Sequence, residues 1–129
     1  METLTNLPLR VLVADDERDT VMTLGILLRS EGVDVKLAER ATEVLLLVEQ
    51  FRPHAVLLDL VMPDRSGFEL ARELRKRYAD KCPVLIALTG RRAPQAKALA
   101  EHSGFQHLLH KPYDPNALLK LVTSLPASS

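Results

Sequence analysis

One cysteine, Cys82, occurs among 129 residues, so no internal disulfide can form. Long hydrophobic runs are missing too: the longest apolar bursts are four and five residues, far short of the roughly 20 that cross a bilayer. The first 30 residues lack the unbroken apolar stretch behind a basic start that marks a signal peptide. These absences make a reducing cytoplasm the expected location, with no membrane partner. An excess of one charge is also lacking, because 17 basic and 17 acidic residues cancel. The field of the whole molecule therefore gives no reason to expect a nucleic-acid partner. Zinc-ligand spacing is absent, since Cys82 is solitary and the four histidines show no HxxxH arrangement. Repeats and low-complexity tracts are absent as well.

What the chain does have is 47% apolar content, enough to bury one core and too little length for two ordinary domains. The expectation is one domain over 8–126 with short tails, 1–7 and 127–129. Val11 to Ala14, Ala55 to Leu58 and Val84 to Leu88 are short apolar bursts, each stopping at a polar residue and separated by segments with helical spacing. Because the bursts are continuous rather than alternating, they read as parallel strands covered on both faces. Val33, Val35 and Leu37 alternate and suggest an edge strand. A fifth strand is expected near Gln106 to His110. The class is α/β, built from five βα units.

Helix signals are independent of these. Leu118, Leu121, Val122 and Leu125 repeat at i, i+3, i+4 and i+7 behind an Asp114 cap and Pro115. Ser66 and Glu69 have capping-box spacing ahead of an apolar stripe of Ala71, Leu74 and Tyr78, with Arg72, Arg75 and Lys76 expected on a solvated face. Two further helices carry Leu24, Leu27 and Leu28, ended by Gly32, and Val44 to Val48; an Ala-rich one spans about Pro94 to His102, ended by Gly104.

In an open parallel sheet all strands end on one edge, so the residues just past them gather in one crevice. Here those residues are Asp15 and Asp16 with Glu17, then Asp59, Thr89 and Lys111. Clustered carboxylates repel one another unless a cation joins them. Mg²⁺ suits such a set, because it prefers hard oxygen ligands and is commonly held by one or two carboxylates plus phosphate oxygens. With charge neutralised, one carboxylate can attack phosphorus while Lys111 and the Thr89 hydroxyl steady the transferred oxygens, giving an acyl phosphate. Asp59 ends the most apolar strand and is the nucleophile candidate; Asp15 and Asp16 are the metal candidates.

Each residue also has an ordinary explanation. Asp15 and Asp16 could cap the first helix, Thr89 could belong to a turn with Gly90, and Lys111 could be an exposed charge beside Pro112. His54, His102, His107 and His110 read as structural, and Cys82 before Pro83 as a packed thiol. Their joint placement favours function, because nothing in folding asks for three acids and a lysine at one edge.

The motifs VLVADDE (Val11 to Glu17), LLDLVMPDRSG (Leu57 to Gly67), Thr89 and HKPYDP (His110 to Pro115) together resemble, in order and spacing, the receiver domains of bacterial response regulators and hybrid histidine kinases. The similarity spans nearly the whole chain, and GFQHLLHKP from Gly104 is most like receivers attached to hybrid kinases. The resemblance implies a flavodoxin-like, doubly wound (βα)5 parallel five-stranded sheet in order 2-1-3-4-5. It further implies Asp59 as phosphoacceptor, supplied from phosphohistidine on a histidine kinase or histidine phosphotransfer protein. Mg²⁺ would be held by Asp16, Asp59 and the Val61 carbonyl, with Asp15 acting mainly through water. Thr89 would move toward the phosphoryl group, Lys111 would pair with it, and the Lys111 to Pro112 peptide would be cis. A downstream protein would then read the face built from the fourth helix, fifth strand and fifth helix.

Three positions depart from the commonest pattern. Leu108 stands where the family often places an aromatic or histidine residue as a rotamer switch coupled to the threonine. In the family, the positions of Val61 and Arg91 tune phosphoryl lifetime; apolar Val61 gives no hold on an attacking water and Arg91 would reach or cover the phosphoryl group, so a modest or slow loss of phosphate is expected. Rival readings are a phosphorylation-independent binding module, a phosphatase resembling the haloacid-dehalogenase group, and a flavin binder. The intact acid, Thr and Lys set argues against the first. Val61, in place of a second acid, argues against the second, and Asp15 and Asp16 would repel the phosphate of the third. No output segment follows Leu125, which leaves a stand-alone regulator, a relay, or a receiver cut from a larger protein.

Overall fold

Strand residues of this chain alternate between two separate hydrophobic clusters, which is why unbroken apolar runs form strands. A computed structural model describes residues 8–90, 94–111 and 114–125. The strands are β1 (Arg10–Ala14), β2 (Asp34–Ala38), β3 (Ala55–Asp59), β4 (Val84–Thr89) and β5 (His107–His110). The helices are α1 (Arg18–Ser30), α2 (Ala41–Phe51), α3 (Gly67–Tyr78), α4 (Pro94–Ser103) and α5 (Pro115–Thr123). All four strand pairings are parallel, in the order 2-1-3-4-5. This is the flavodoxin-like, doubly wound arrangement expected.

Leu12, Ala14, Val56, Leu58, Leu85 and Ala87 point to one face and pack with residues of α2, α3 and α4. Val11, Val13, Ala55, Leu57, Ile86 and Leu88 point to the other and pack with α1 and α5. Central β3 is buried at all five positions, whereas edge strand β2 alternates and edge strand β5 is only half-buried. A fully buried leucine contributes about 2 to 3 kcal/mol by leaving water, so the central strands, rich in such residues, hold the sheet edge rigid.

The caps largely follow the local signals. Asp114 accepts from the Asn116 amide at 3.0 Å and Ser66 from the Phe68 amide at 3.1 Å. Gly32 and Gly104 follow α1 and α4 at φ 84° and 107°, the left-handed region that glycine enters without cost.

Within the basic run of α3, Arg72 is exposed as expected, whereas Arg75 is half-buried. Arg72 Nη1 donates to Ser103 Oγ at 3.1 Å, and Arg75 donates from Nε and Nη2 to the Gly104 carbonyl at 3.0 and 2.6 Å. Those two arginines tie α3 to the end of α4, because carbonyls at a helix end have no intrahelical donors. Lys76 stays exposed. Pro112, with the expected cis peptide, and Tyr113, Arg91 and Arg92 lie outside the described residues. No helix is long and apolar enough to cross a membrane among the described residues.

Candidate functional site

At the carboxyl edge of the sheet, Asp15 directly follows β1 and Asp59 ends β3, both buried, while Asp16, next to Asp15, is exposed. Oxygen atoms of Asp15, Asp16 and Asp59 all lie within 4.8 Å of one another. Asp15 is anchored from its own backbone, whose amide donates to the Ala38 carbonyl at 3.1 Å. Its Oδ1 accepts from the Glu17 amide at 3.0 Å. Neither aspartate caps α1, where Glu17 is the flanking residue; the ordinary explanation for this pair is therefore not the one found.

Lys111, just past β5, reaches across the crevice. Its Nζ stands 2.5 Å from Asp15 Oδ2 and 3.2 Å from Asp59 Oδ2. The backbone aims it, since the Lys111 amide donates to the Thr89 carbonyl at 2.7 Å. Thr89 closes β4 and is buried beside this edge. Leu108 pairs with Ala87 in the sheet and is half-buried against the cluster that includes Ala100 and Phe105. It fills its position by packing alone.

Burial pushes the Asp59 carboxyl up to about 6, against an ordinary value of 3.8. The Val61 amide, donating to Asp59 Oδ1 at 3.0 Å, opposes that rise, the hydrogen bond and charge of Asp15 add to it, and Lys111 opposes it. For Lys111, burial lowers the ammonium, but the hydrogen bond it donates to Asp15 and the two negative charges outweigh it and the net direction is up. One cation among three acids is too little positive charge for the crevice. Hard oxygen donors, close together and short of a counter-charge, fit Mg²⁺ by their chemistry.

The loop after β3 is shaped by close approach. Val61 and Ser66 face each other in an antiparallel bridge, and the Gly67 amide donates to the Leu60 carbonyl at 2.9 Å. A Cβ on Gly67 would sit 2.6 Å from the Asp59 carbonyl oxygen and 2.7 Å from Leu60 Cα. Only glycine lets α3 start this near the acid. The Val61 side chain is 60% exposed, so it offers backbone and not packing to the site.

A model of the family described as response regulator receiver domain matches residues 11–123. The chain belongs to that family. This receiver is 37% identical over 122 residues to an uncharacterised 14.6 kDa protein of Leptolyngbya boryana, covering 95% of this chain and 92% of that one. It is 34% identical over 113 residues to the DNA-binding response regulator MtrA of Mycobacterium leprae, covering 88% of this chain and 49% of MtrA. The receiver thus spans about half the length of several of the regulators it matches. Among solved structures, the chemotaxis protein CheY4 of Vibrio cholerae superposes with a TM-score of 0.86 at 26% identity, covering 93% of this chain and 100% of that one. The receiver domain of the response regulator Ssk1, solved with the Saccharomyces cerevisiae histidine phosphotransfer protein Ypd1, gives 0.84 at 26% identity, with coverage of 92% and 88%. The protein is a two-component signalling domain of the CheY-like fold.

Residue-by-residue reading missed Asp64. Its Oδ1 accepts from the Ala41 amide at 2.8 Å and its Oδ2 from the Thr42 amide at 3.1 Å. Nothing local in the sequence signals this, because the partners lie 23 and 22 residues away. Glu43 was missed as well: its Oε1 accepts from the Glu39 and Arg40 amides at 2.9 and 3.1 Å. Its spacing from Arg40 was the available signal. His54 holds a structural position, its Nδ1 accepting from the Arg10 amide at 3.0 Å. Burial pushes the half-buried Cys82 thiol up, which suits a packed, unreactive side chain.

Proposed function

We propose that Asp59 is the phosphoacceptor of a phosphorelay, receiving its phosphoryl group from phosphohistidine on a histidine kinase or histidine phosphotransfer protein. The observation that carries this reading is the convergence of three carboxylates within 4.8 Å, with the Lys111 ammonium spanning two of them. An Asp59 oxygen attacks phosphorus, the phosphorus to imidazole-nitrogen bond breaks, and the released nitrogen keeps the electron pair and takes a proton from solvent. The product is an aspartyl phosphate and a neutral histidine.

Asp16, Asp59 and the Val61 carbonyl would hold Mg²⁺, with Asp15 contributing through water. Bound there, the ion supplies positive charge that lowers the cost of bringing a phosphoryl group to an acidic crevice. Lys111 exchanges its Asp59 contact for a phosphoryl oxygen and keeps Asp15. Thr89 turns its hydroxyl to a second oxygen. Its displacement changes the face formed by α4, β5 and α5, which a downstream protein reads. The domain acts as a signalling switch. The Ypd1 complex of a structural relative supports a phosphotransfer partner, and exposed apolar Val61 supports slow loss of the phosphoryl group.

Incubating the receiver with a phosphorylated histidine phosphotransfer domain and Mg²⁺ tests the reading. Label should pass to the wild type, resist acid, be lost in alkali as acyl phosphates are, and be absent from Asp59→Asn. Equal labelling of that variant would place the acceptor elsewhere. No labelling with any donor would instead favour a phosphorylation-independent binding module.

A further inference from the structure

The loop that carries Val61 is closed at its base by the Val61 to Ser66 bridge and buried at Met62. Two further contacts hold its outer part. Arg65 Nη1 pairs with Glu73 Oε1 of α3 at 2.6 Å, which fixes the loop to the helix it enters. Asp64 faces the opposite way and clamps the first two amides of α2, Ala41 and Thr42. Those amides have no intrahelical acceptor, and the positive end of the helix favours a carboxylate. The Ala41 amide first, with the Thr42 amide and hydroxyl helping, holds the Asp64 carboxyl below its ordinary value. The third amide of α2, that of Glu43, is already taken by the Arg40 carbonyl at 3.1 Å.

From this geometry we infer that Asp64 is a positioning residue for the phosphoacceptor site: by clamping the start of α2 it fixes the backbone of Val61, and through it the orientation of Asp59. The physical path is short. Asp64 is three residues from Val61, whose amide donates to Asp59 Oδ1 at 3.0 Å. Residues that orient ligating groups without touching the metal commonly change affinity by about tenfold or more when removed. Glu43 is the natural control, because it also satisfies amides at the start of α2, those of Glu39 and Arg40, yet makes no described contact with the loop. Asp64 acts on the loop and Glu43 only on the helix end.

The metal-affinity part of this inference rests on the proposed function, whereas the loop-fixing part stands without it. The test compares wild type, Asp64→Ala, Asp64→Asn and Glu43→Ala, each first checked for cooperative unfolding. Amide exchange at Val61 is measured in metal-free protein, and Mg²⁺ affinity by titration. Asp64→Ala is expected to speed Val61 exchange and weaken Mg²⁺ about tenfold. Asp64→Asn, which keeps one carbonyl oxygen for the Ala41 amide, falls between, and Glu43→Ala changes neither. If Asn matched Ala in Mg²⁺ affinity while Val61 exchange stayed at the wild-type rate, the carboxylate would act through its charge and the inference would fail. It would also fail if Glu43→Ala reproduced the effects of Asp64→Ala. Wild type that binds no Mg²⁺ would overturn the proposed function instead, and Val61 exchange in the four proteins would decide the role of Asp64 alone.

Discussion

Lys111 and Asp15, 96 residues apart in the chain, meet at 2.5 Å across the carboxyl edge of the sheet. Asp15 is fully buried and Lys111 partly so, and the same ammonium also reaches Asp59. Removing this cation leaves two acids facing one another with no counter-charge. Breaking a buried pair on one side commonly costs 3 to 5 kcal/mol, and the partial exposure of Lys111 reduces that.

Lys111→Met is therefore expected to destabilise the metal-free protein by about 2 kcal/mol at pH 7.5. The loss should be smaller at pH 5, where Asp59 takes up a proton more readily. Urea unfolding at the two pH values checks both parts, and phosphorylation of the variant should fall sharply. Because the Lys111 pKa is raised in the folded state, the wild-type contribution persists until pH rises above the ordinary lysine range.

Asp59 shifts in the same direction, because burial disfavours its charged form. Its folded pKa of about 6 exceeds the ordinary 3.8, so the folded state holds more protons between those values and stability falls as pH rises from 4 to 6. Allowing for solvent near the group, the loss is about 1 to 2 kcal/mol. Asp59→Asn should be more stable than wild type above pH 6 without metal, and should flatten that part of the curve. Calorimetry across about pH 4 to 8, about two units on either side of the value, distinguishes this from a variant that is merely damaged.

Most of the fold was legible because a doubly covered sheet writes itself as continuous apolar runs, and because strand ends collect side chains whatever their separation. Asp15, Asp59 and Lys111 were found this way, and the structure brings them together. The Asp64 clamp and the Arg75 tie were not legible. Their acceptors and donors lie 23 and 29 residues away, and a polar contact between loops or helix ends leaves no periodic trace. The same reason explains why Arg75 reads as part of a solvated face: helical spacing places a side chain on a face but says nothing about what the neighbouring helix end offers it.

Arg75 supplies a further test of packing. Its guanidinium makes two hydrogen bonds to the Gly104 carbonyl, and Arg75→Ala should cost about 1 to 2 kcal/mol and speed amide exchange at the end of α4. Unchanged exchange there would mean that α3 and α4 are held by apolar contact alone.

Gly67 supplies the steric one. Gly67→Ala drives a methyl group against the Asp59 carbonyl oxygen and Leu60 Cα, backbone atoms with little room to yield. It should cost at least about 2 kcal/mol and reduce phosphorylation of Asp59 beyond what the stability loss explains. Chemical denaturation paired with labelling at low temperature separates the two effects.

The most direct measurement is intact mass after incubation with acetyl phosphate, with Mg²⁺ and with EDTA. Wild type should gain one phosphoryl group only when Mg²⁺ is free, with proteolysis placing it on Asp59. Equal gain in EDTA, or a gain at any residue other than Asp59, would contradict the account.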